Sequence, residues 1–429
     1  MFQTISNIMR ASDIRRKVFF TLLMLIVFRI GVHIPVPNVN RDLLKIQDEL
    51  GVFGVLNTFG GGALANFSIF AMGIMPYITA SIIMQLLQMD VVPKFSEWAK
   101  QGEVGRRKLN QTTRYFTIIL GFIQAIGMSI GFNNMYPGLI ENGSPLTYLY
   151  IGLILTAGTA FLMWLGEQIT AHGIGNGISI IIFAGIVAGI PNGLVQIYAK
   201  YFDGNQDQLF VQIVTVLLVF LAILAIIVGV IFIQQGLRKI PVQYAKRVVG
   251  EKTYGGQSTF LPLKVNAAGV IPVIFAISFL ITPPTIAQFF KPNNVTTWII
   301  DTFDYTKPVG MIIYVILIIL FTYFYTFVQV NPEQMADNLK KQGGYIPGYR
   351  PGKETQDYVT KVLLRLTPVG SLFLAVVAII PVFFSAIAKL PPSIQIGGTS
   401  LLIVVGVALE TMKTIESQLV KRHYRGFIK

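Results

Sequence analysis

The sequence predicts an all-α polytopic membrane protein. Hydrophobic residues make up 53% of the 429 residues and charged residues only 13%, whereas about a quarter of the residues of a soluble domain are charged. The apolar residues also lie in long runs, such as Leu209–Ile233 and Met311–Val330, and about 20 apolar residues suffice for a helix to cross a bilayer. Both a soluble globular domain and a disordered chain are therefore excluded.

Ten apolar segments are long enough to be transmembrane helices. Clusters of Pro, Gly or charged residues separate them, and the first follows a basic flank without a small-residue cleavage site, which indicates an uncleaved span. The predicted spans are residues 18–34, 72–89, 113–132, 147–165, 175–191, 209–234, 267–285, 308–330, 364–385 and 395–412.

The basic residues predict the orientation. The two terminal flanks and the loops on the same side hold 27 of the 34 Lys and Arg residues, so the positive-inside rule places both termini and these loops in the cytoplasm. The two longest loops, 235–265 and 331–365, also contain Tyr, Pro and Gly. Their charge is typical of a topology signal and of contact with anionic lipids, whereas their length favours docking of a soluble partner.

The residues that catalysis or ion coupling requires are scarce. There is no Cys, the three His residues are scattered, and no GxxxxGK[ST] sequence occurs, so we expect no enzyme activity, no catalytic residue, no metal and no cofactor. The span interiors carry almost no charge, which disfavours an ion-coupled transporter. Arg29 and His33, in the outer part of the first span, are interpreted as structural residues near a helix end.

A glycine-rich segment around Gly60–Gly62 separates the first two spans. Irregular backbone at membrane depth is tolerated only where protein or a water-filled cavity satisfies its polar groups. Two interpretations are open, a surface connector or a short apolar half-helix that follows the glycines and lies within a cavity. In addition, Pro76 and Pro272 lie in the second and seventh spans, where we expect each to bend its helix.

Several motifs, spread over essentially the whole chain, resemble those of the SecY family, the channel subunits of the Sec protein-translocation complex. They are long and specific, and they include Phe59–Gly62, Met75–Ile82, Gly105–Lys108, Met163–Thr170, Gly173–Ile186, Leu261–Asn266, Ala336–Lys341 and Gly397–Val405.

The resemblance implies a clamshell of two pseudo-symmetric five-helix halves around a central pore. The amino-terminal half is 1–195, with spans one to five and a plug at about 57–70; the carboxyl-terminal half is 196–429, with spans six to ten and the two long loops. The implied lateral gate has spans two and three on one side and spans seven and eight on the other. It includes Pro76 and Pro272.

The resemblance also assigns site residues. It implies an apolar pore ring of Ile78, Ile82, Ile186, Ile190, Ile274 and Ile403. The implied plug residues are Asn57, Phe59, Gly60, Gly61, Gly62, Leu64, Asn66 and Phe67. The implied docking residues for a motor or ribosome are Arg238, Lys239, Lys246, Arg247, Tyr345 and Arg350.

The function implied by the resemblance is translocation of unfolded secretory polypeptides across the bacterial cytoplasmic membrane, with lateral release of membrane segments. The implied partners are SecE and SecG, the SecA ATPase or the ribosome, signal sequences, translocating polypeptides and anionic lipids, with no nucleic acid beyond ribosomal RNA. The alternatives are an ion-coupled solute transporter and a scaffold that inserts proteins without conducting them.

Overall fold

The structure is a computed structural model. It describes residues 11–40, 43–44, 52–89, 91–202, 209–244, 247–249, 252–254, 258–287, 290, 293–388 and 398–425. Each of the ten predicted spans coincides with an α-helix in this part of the chain, although several helices extend beyond the predicted bounds.

The described residues of the first half of the chain form seven helices. They are α1 (Ser12–Val32), α2 (Val52–Phe59), α3 (Met75–Leu87), α4 (Pro93–Lys100), α5 (Glu103–Met135), α6 (Pro145–His172) and α7 (Gly177–Phe202).

The second half contains helices and short strands. They are α8 (Leu209–Gln235), β1 (Leu237–Tyr244), β2 (Arg247–Val249), β3 (Lys252–Tyr254), β4 (Ser258–Lys264), α9 (Ile271–Ala287), α10 (Asn294–Thr302), α11 (Pro308–Gln329), α12 (Pro332–Lys341), β5 (Gly344–Tyr345), α13 (Lys353–Ala388) and α14 (Gly398–Arg425).

The long helices have the apolar character of membrane spans. Among the described residues, α5, α6, α7, α8, α11 and α13 are long and apolar enough to cross a bilayer, and α3 and α9 are apolar but shorter. On α8 the side chains of Phe220, Leu224, Val228 and Phe232 are all exposed. So large an exposed apolar face is unfavourable in water and indicates contact with lipid or with another membrane subunit.

The two long basic loops meet in one small sheet. β1 pairs antiparallel with β4, with Leu237 opposite Lys264, and β5 pairs with the other edge of β1, with Gln243 opposite Tyr345. Inward-facing Ile240 and Val242 pack with residues of α12 and α13 in a separate apolar cluster. The loops are thus folded into a rigid platform beside the helical bundle.

The prediction that Pro76 and Pro272 each remove a backbone hydrogen bond and bend their helices is wrong. Pro76 is the second residue of α3 and Pro272 the second residue of α9. In the first turn of a helix the backbone N–H has no intrahelical partner, so proline there removes no hydrogen bond. Both residues therefore begin their helices instead of bending them.

Candidate pore, plug and lateral gate

Five of the six isoleucines of the expected ring lie in one buried apolar cluster. Their exposed fractions run from 0% to 6%, and they come from α3, α7, α9 and α14: Ile78, Ile82, Ile186, Ile274 and Ile403. On α3 the two isoleucines are four residues apart and so share a helix face. Ile190, one turn beyond Ile186, is only half-buried and lies outside this cluster.

No Asp, Glu, Lys or Arg belongs to this apolar cluster in the part of the chain that the structure describes. Among the described residues, the buried polar ones are Ser, Thr and Asn, and no Asp, Glu, Lys or Arg is buried. An aliphatic cluster offers water no hydrogen-bond partners, which is what a constriction that blocks ions by excluding water requires.

The glycine-rich segment is buried inside the bundle. Phe59 belongs to the same apolar cluster as the isoleucines, and Leu64 and Phe67 belong to a second cluster with Phe132. All four side chains are at most 6% exposed, which argues against a surface connector. The helical part, α2, precedes the glycines, so the expectation of a half-helix after them is wrong; residues beyond Gly60 form successive turns.

Short backbone hydrogen bonds shape this turn. The side-chain oxygen of Asn57 accepts a hydrogen bond from the Ala65 N–H at 2.9 Å. The backbone carbonyl of Asn57 accepts one from the Gly62 N–H at 2.8 Å. Gly61 and Gly62 have φ of +67° and +89°, a region that glycine enters without steric penalty. Asn66 donates its N–H to the Gly62 carbonyl at 3.2 Å, which closes the turn.

Two residues that hold this turn were not predicted as site residues. Arg29 on α1 donates from Nη1 to the Gly61 carbonyl oxygen at 2.7 Å, and Gly185 on α7 lies against the same turn. The charge of Arg29 within an apolar span was the available signal, because such residues usually have a specific partner. Gly185 gives no signal of its own in the sequence.

A pocket lies at the seam where α9 packs against α3 and α5. Its lining includes Pro76, Gln124 and Thr282, one residue from each of these helices. Across the seam, Ser278 Oγ contacts the Met75 sulfur at 3.8 Å. Polar side chains of Gln124, Ser278 and Thr282 therefore lie among the apolar residues of this seam.

The β1–β4 hairpin presents basic side chains to solvent. Arg238 and Lys239, at the start of β1, are both exposed. Arg247 lies in β2, and Lys246 falls outside the described residues.

The neighbouring loop displays Tyr345 and Arg350 on the same platform. The Tyr345 hydroxyl donates to Gln243 Oε1 at 2.9 Å. The Arg350 N–H donates to Glu354 Oε2 at 3.0 Å, and the Arg350 carbonyl accepts from the Thr355 hydroxyl at 2.8 Å. Since α13 holds both backbone groups of Arg350, its exposed side chain projects from a fixed position.

Taken together, these features define a multi-pass α-helical membrane protein of the channel class, with a buried apolar cluster from four helices and a buried glycine-rich turn that joins the cluster through Phe59. The SecY family model matches residues 68–412. Over its full length the chain is 73% identical to the protein translocase subunit SecY of Halalkalibacterium halodurans and 72% identical to that of Bacillus subtilis, covering 100% of both proteins. The chain belongs to the SecY family.

Solved structures agree on the fold. A structure described as a protein conducting channel matches with a TM-score of 0.64 at 19% identity, covering 97% of this chain and 95% of that one. Sec61 in the canine ribosome-channel complex from the endoplasmic reticulum matches with a TM-score of 0.60 at 17% identity, with the same coverage of both chains. The all-α polytopic fold expected from the sequence is confirmed.

Proposed function

We propose that this chain conducts unfolded secretory polypeptides through the isoleucine cluster and releases apolar segments sideways into the bacterial cytoplasmic membrane. The observation that carries the proposal is the set of five buried isoleucines, which four helices bring together with Phe59 in an uncharged cluster. Ile190 completes the proposed ring at its rim. Family membership supports the translocase activity itself.

An aliphatic constriction suits a pore that passes polypeptides of any sequence. Fixed charges would bind or repel particular side chains, whereas an isoleucine ring has no such preference and can close around side chains of different size. When the pore is empty, the proposed plug, Asn57–Phe70, lies against this ring through Phe59. A translocating chain would displace the plug and take its place.

Lateral release requires the two halves, 1–195 and 196–429, to separate at the seam of α3 and α5 with α9. Transfer of an apolar segment of about 20 residues from the pore into lipid is favourable, since each buried CH₂ contributes about 0.8 kcal/mol. In this proposal the helices part at the pocket that Pro76 lines. In this proposal Pro76 and Pro272 mark the two helix starts at the gate and do not act as kinks.

The driving energy comes from a partner in this proposal. We assign that partner, the SecA ATPase or a translating ribosome, to the platform of β1, β4 and β5, with Arg350 as its central cation. SecE and SecG are the proposed membrane subunits, and both termini and the platform face the cytoplasm. The exposed apolar side of α8 is available to lipid or to such a subunit.

Reconstitution tests the proposal directly. Vesicles containing the chain with SecE and SecG receive SecA, ATP and a secretory precursor, and we expect the precursor to become protected from added protease. A precursor without its signal sequence and a reaction without ATP are the controls. Solute-coupled ion flux without protection of the precursor would instead establish a transporter, and insertion of membrane proteins without protection would establish a scaffold.

A further inference from the structure

Arg29 places a positive charge inside the first span, close to the plug turn. Its Nη1 donates to the Gly61 carbonyl oxygen at 2.7 Å across 32 residues of sequence. The ion pairs among the described residues are Arg107–Glu103, Arg114–Glu167 and Lys307–Asp301, so no described carboxylate neutralises this guanidinium. The glycine carbonyl is thus its observed acceptor.

On its other side, the plug turn contacts Gly185 on α7. A Cβ on Gly185 would overlap the carbonyl oxygen of Phe59 and would lie 3.1 Å from the Gly61 nitrogen. A Cβ on Gly61 would in turn lie 3.1 Å from the Gly185 Cα and 3.2 Å from Arg29 Nη1. The backbone of the plug turn therefore fits between α1 and α7 only because both contacting residues are glycines.

The hydrogen bond from Arg29 to the Gly61 carbonyl favours this position of the plug turn, for reasons that concern both groups. A guanidinium in an apolar span is unfavourable without an acceptor, and a hydrogen bond from a charged donor is stronger than one between neutral groups. Within the described part of the chain, no backbone N–H donates to the Gly61 carbonyl, so the turn also leaves an acceptor unpaired when it moves. Both groups lose their partner if the plug leaves.

We propose that Arg29 and Gly185 form a latch that holds the plug turn in its closed position and so sets the threshold for opening the channel. Arg29 acts as a positioning residue through the backbone of Gly61, and Gly185 provides the surface against which Phe59 and Gly61 lie. The inference rests on the proposed function, because it assigns the closed state to this position of the plug. Ile186, the residue after Gly185, belongs to the proposed ring and so links the latch to the constriction.

Substitution of Arg29 tests the donor. The chain with SecE and SecG is reconstituted, and resting ion conductance is measured per inserted channel. Arg29→Leu should raise this conductance several-fold, and Arg29→Lys, which keeps a cationic donor, should raise it less. In parallel, Ala63→Cys, a buried position on the turn in this cysteine-free chain, should react faster with an impermeant thiol reagent in the Arg29→Leu background.

Substitution of Gly185 tests the contact between α7 and the plug turn. Gly189, on the same helix, provides a matched control. Gly185→Ala should displace the turn and raise both resting conductance and Ala63→Cys labelling. Gly189→Ala, one turn away, should change neither, because a Cβ there meets nothing within 4 Å. Equal behaviour of Gly185→Ala and Gly189→Ala would overturn the proposal, and this pair decides the matter if Arg29→Leu does not insert.

Deletion of Gly61–Phe67 separates the latch from the channel assignment. If the deletion leaks while Arg29→Leu and Gly185→Ala remain as closed and as unreactive as the parent, the latch is wrong and the plug remains. If the deletion variant does not leak ions either, both the plug assignment and the latch are wrong. Protection of the precursor in the unsubstituted complex reports on the proposed function independently of both results.

Discussion

Ile274 and Ile403 are the residues at which one substitution tests the constriction most directly. Each is at most 6% exposed within the apolar cluster. Asparagine there places an amide where water is excluded, and an unpaired buried amide costs about 1–3 kcal/mol, which destabilises the dry closed state relative to a wetted open one. We expect Ile274→Asn and Ile403→Asn to leak ions and to accept precursors with defective signal sequences.

An exposed isoleucine on the helix of Ile274 provides the control for this prediction. Ile286 on α9 is 53% exposed, so Ile286→Asn should lower insertion or abundance without raising conductance per channel. Single-channel recording, normalised for inserted protein, separates the two effects. Normal insertion of both ring variants with conductance as low as the parent's would contradict the ring assignment.

The ring also shows what a single sequence can and cannot reveal about a site. Spacing identifies 78/82 and 186/190 as pairs on one helix face, but it does not say that α3, α7, α9 and α14 meet, because those contacts join residues far apart in the chain. The family resemblance supplied that information. Arg29 was visible as an isolated charge, yet its acceptor is a backbone carbonyl, which has no signature in a sequence.

At the scale of elements, Arg350 tests the platform made by β1, β4 and β5. Since α13 anchors its backbone, the exposed side chain of Arg350 is a fixed cation, and Arg350→Glu reverses the charge without removing a packing contact. We expect the variant to fold and insert but to lose SecA-driven translocation, measured as protected precursor at equal channel abundance.

Charge reversal on α13 itself, the helix that follows Arg350, is the control for the Arg350 prediction. Lys361 is exposed on the same helix, and Lys361→Glu should leave translocation close to that of the parent. If Arg350→Glu translocates equally well, the positive charge of the loop serves as a topology signal alone.

The plug segment supports a second prediction at this scale. Deletion of Gly61–Phe67 removes Leu64 and Phe67 from their buried cluster and leaves α2 in place. We expect a higher ion leak at rest with translocation retained, because neighbouring segments can partly refill the apolar cavity. Conductance before and after addition of precursor measures both effects, and an unchanged resting leak would contradict the plug assignment.

Elements were predicted best where their signal is local. Within the described residues each of the ten apolar segments overlaps an α-helix, because a long apolar run is a local signal for a helix. The strand Leu237–Tyr244 was predicted only as part of a loop, because its partners, Ser258–Lys264 and Gly344–Tyr345, are distant in sequence. The error over Pro76 and Pro272 has a related cause: hydropathy continues across the turn before each helix, whereas proline favours the first helical turn.

At the scale of the whole molecule, the proposed function requires one orientation. The basic platform must face the compartment that holds the motor or ribosome, and the loop between α5 and α6 must lie on the opposite side. The sequence predicts this arrangement from the distribution of Lys and Arg, which are retained on the cytoplasmic side during insertion. The absence of Cys makes the arrangement measurable with single introduced thiols.

Four single-cysteine variants test this orientation. Two positions, Glu141 and Asn205, are expected outside, and two, Tyr345 and Lys429, inside. Glu141 is preferred to its neighbour Asn142, because Asn142 has φ of +53°, where a cysteine would be strained. In intact cells an impermeant thiol reagent should label the first two variants; the last two should react only after the membrane is opened. Reaction of Tyr345→Cys in intact cells would place the platform outside, where neither SecA nor a ribosome can reach it, and would overturn both the orientation and the docking assignment.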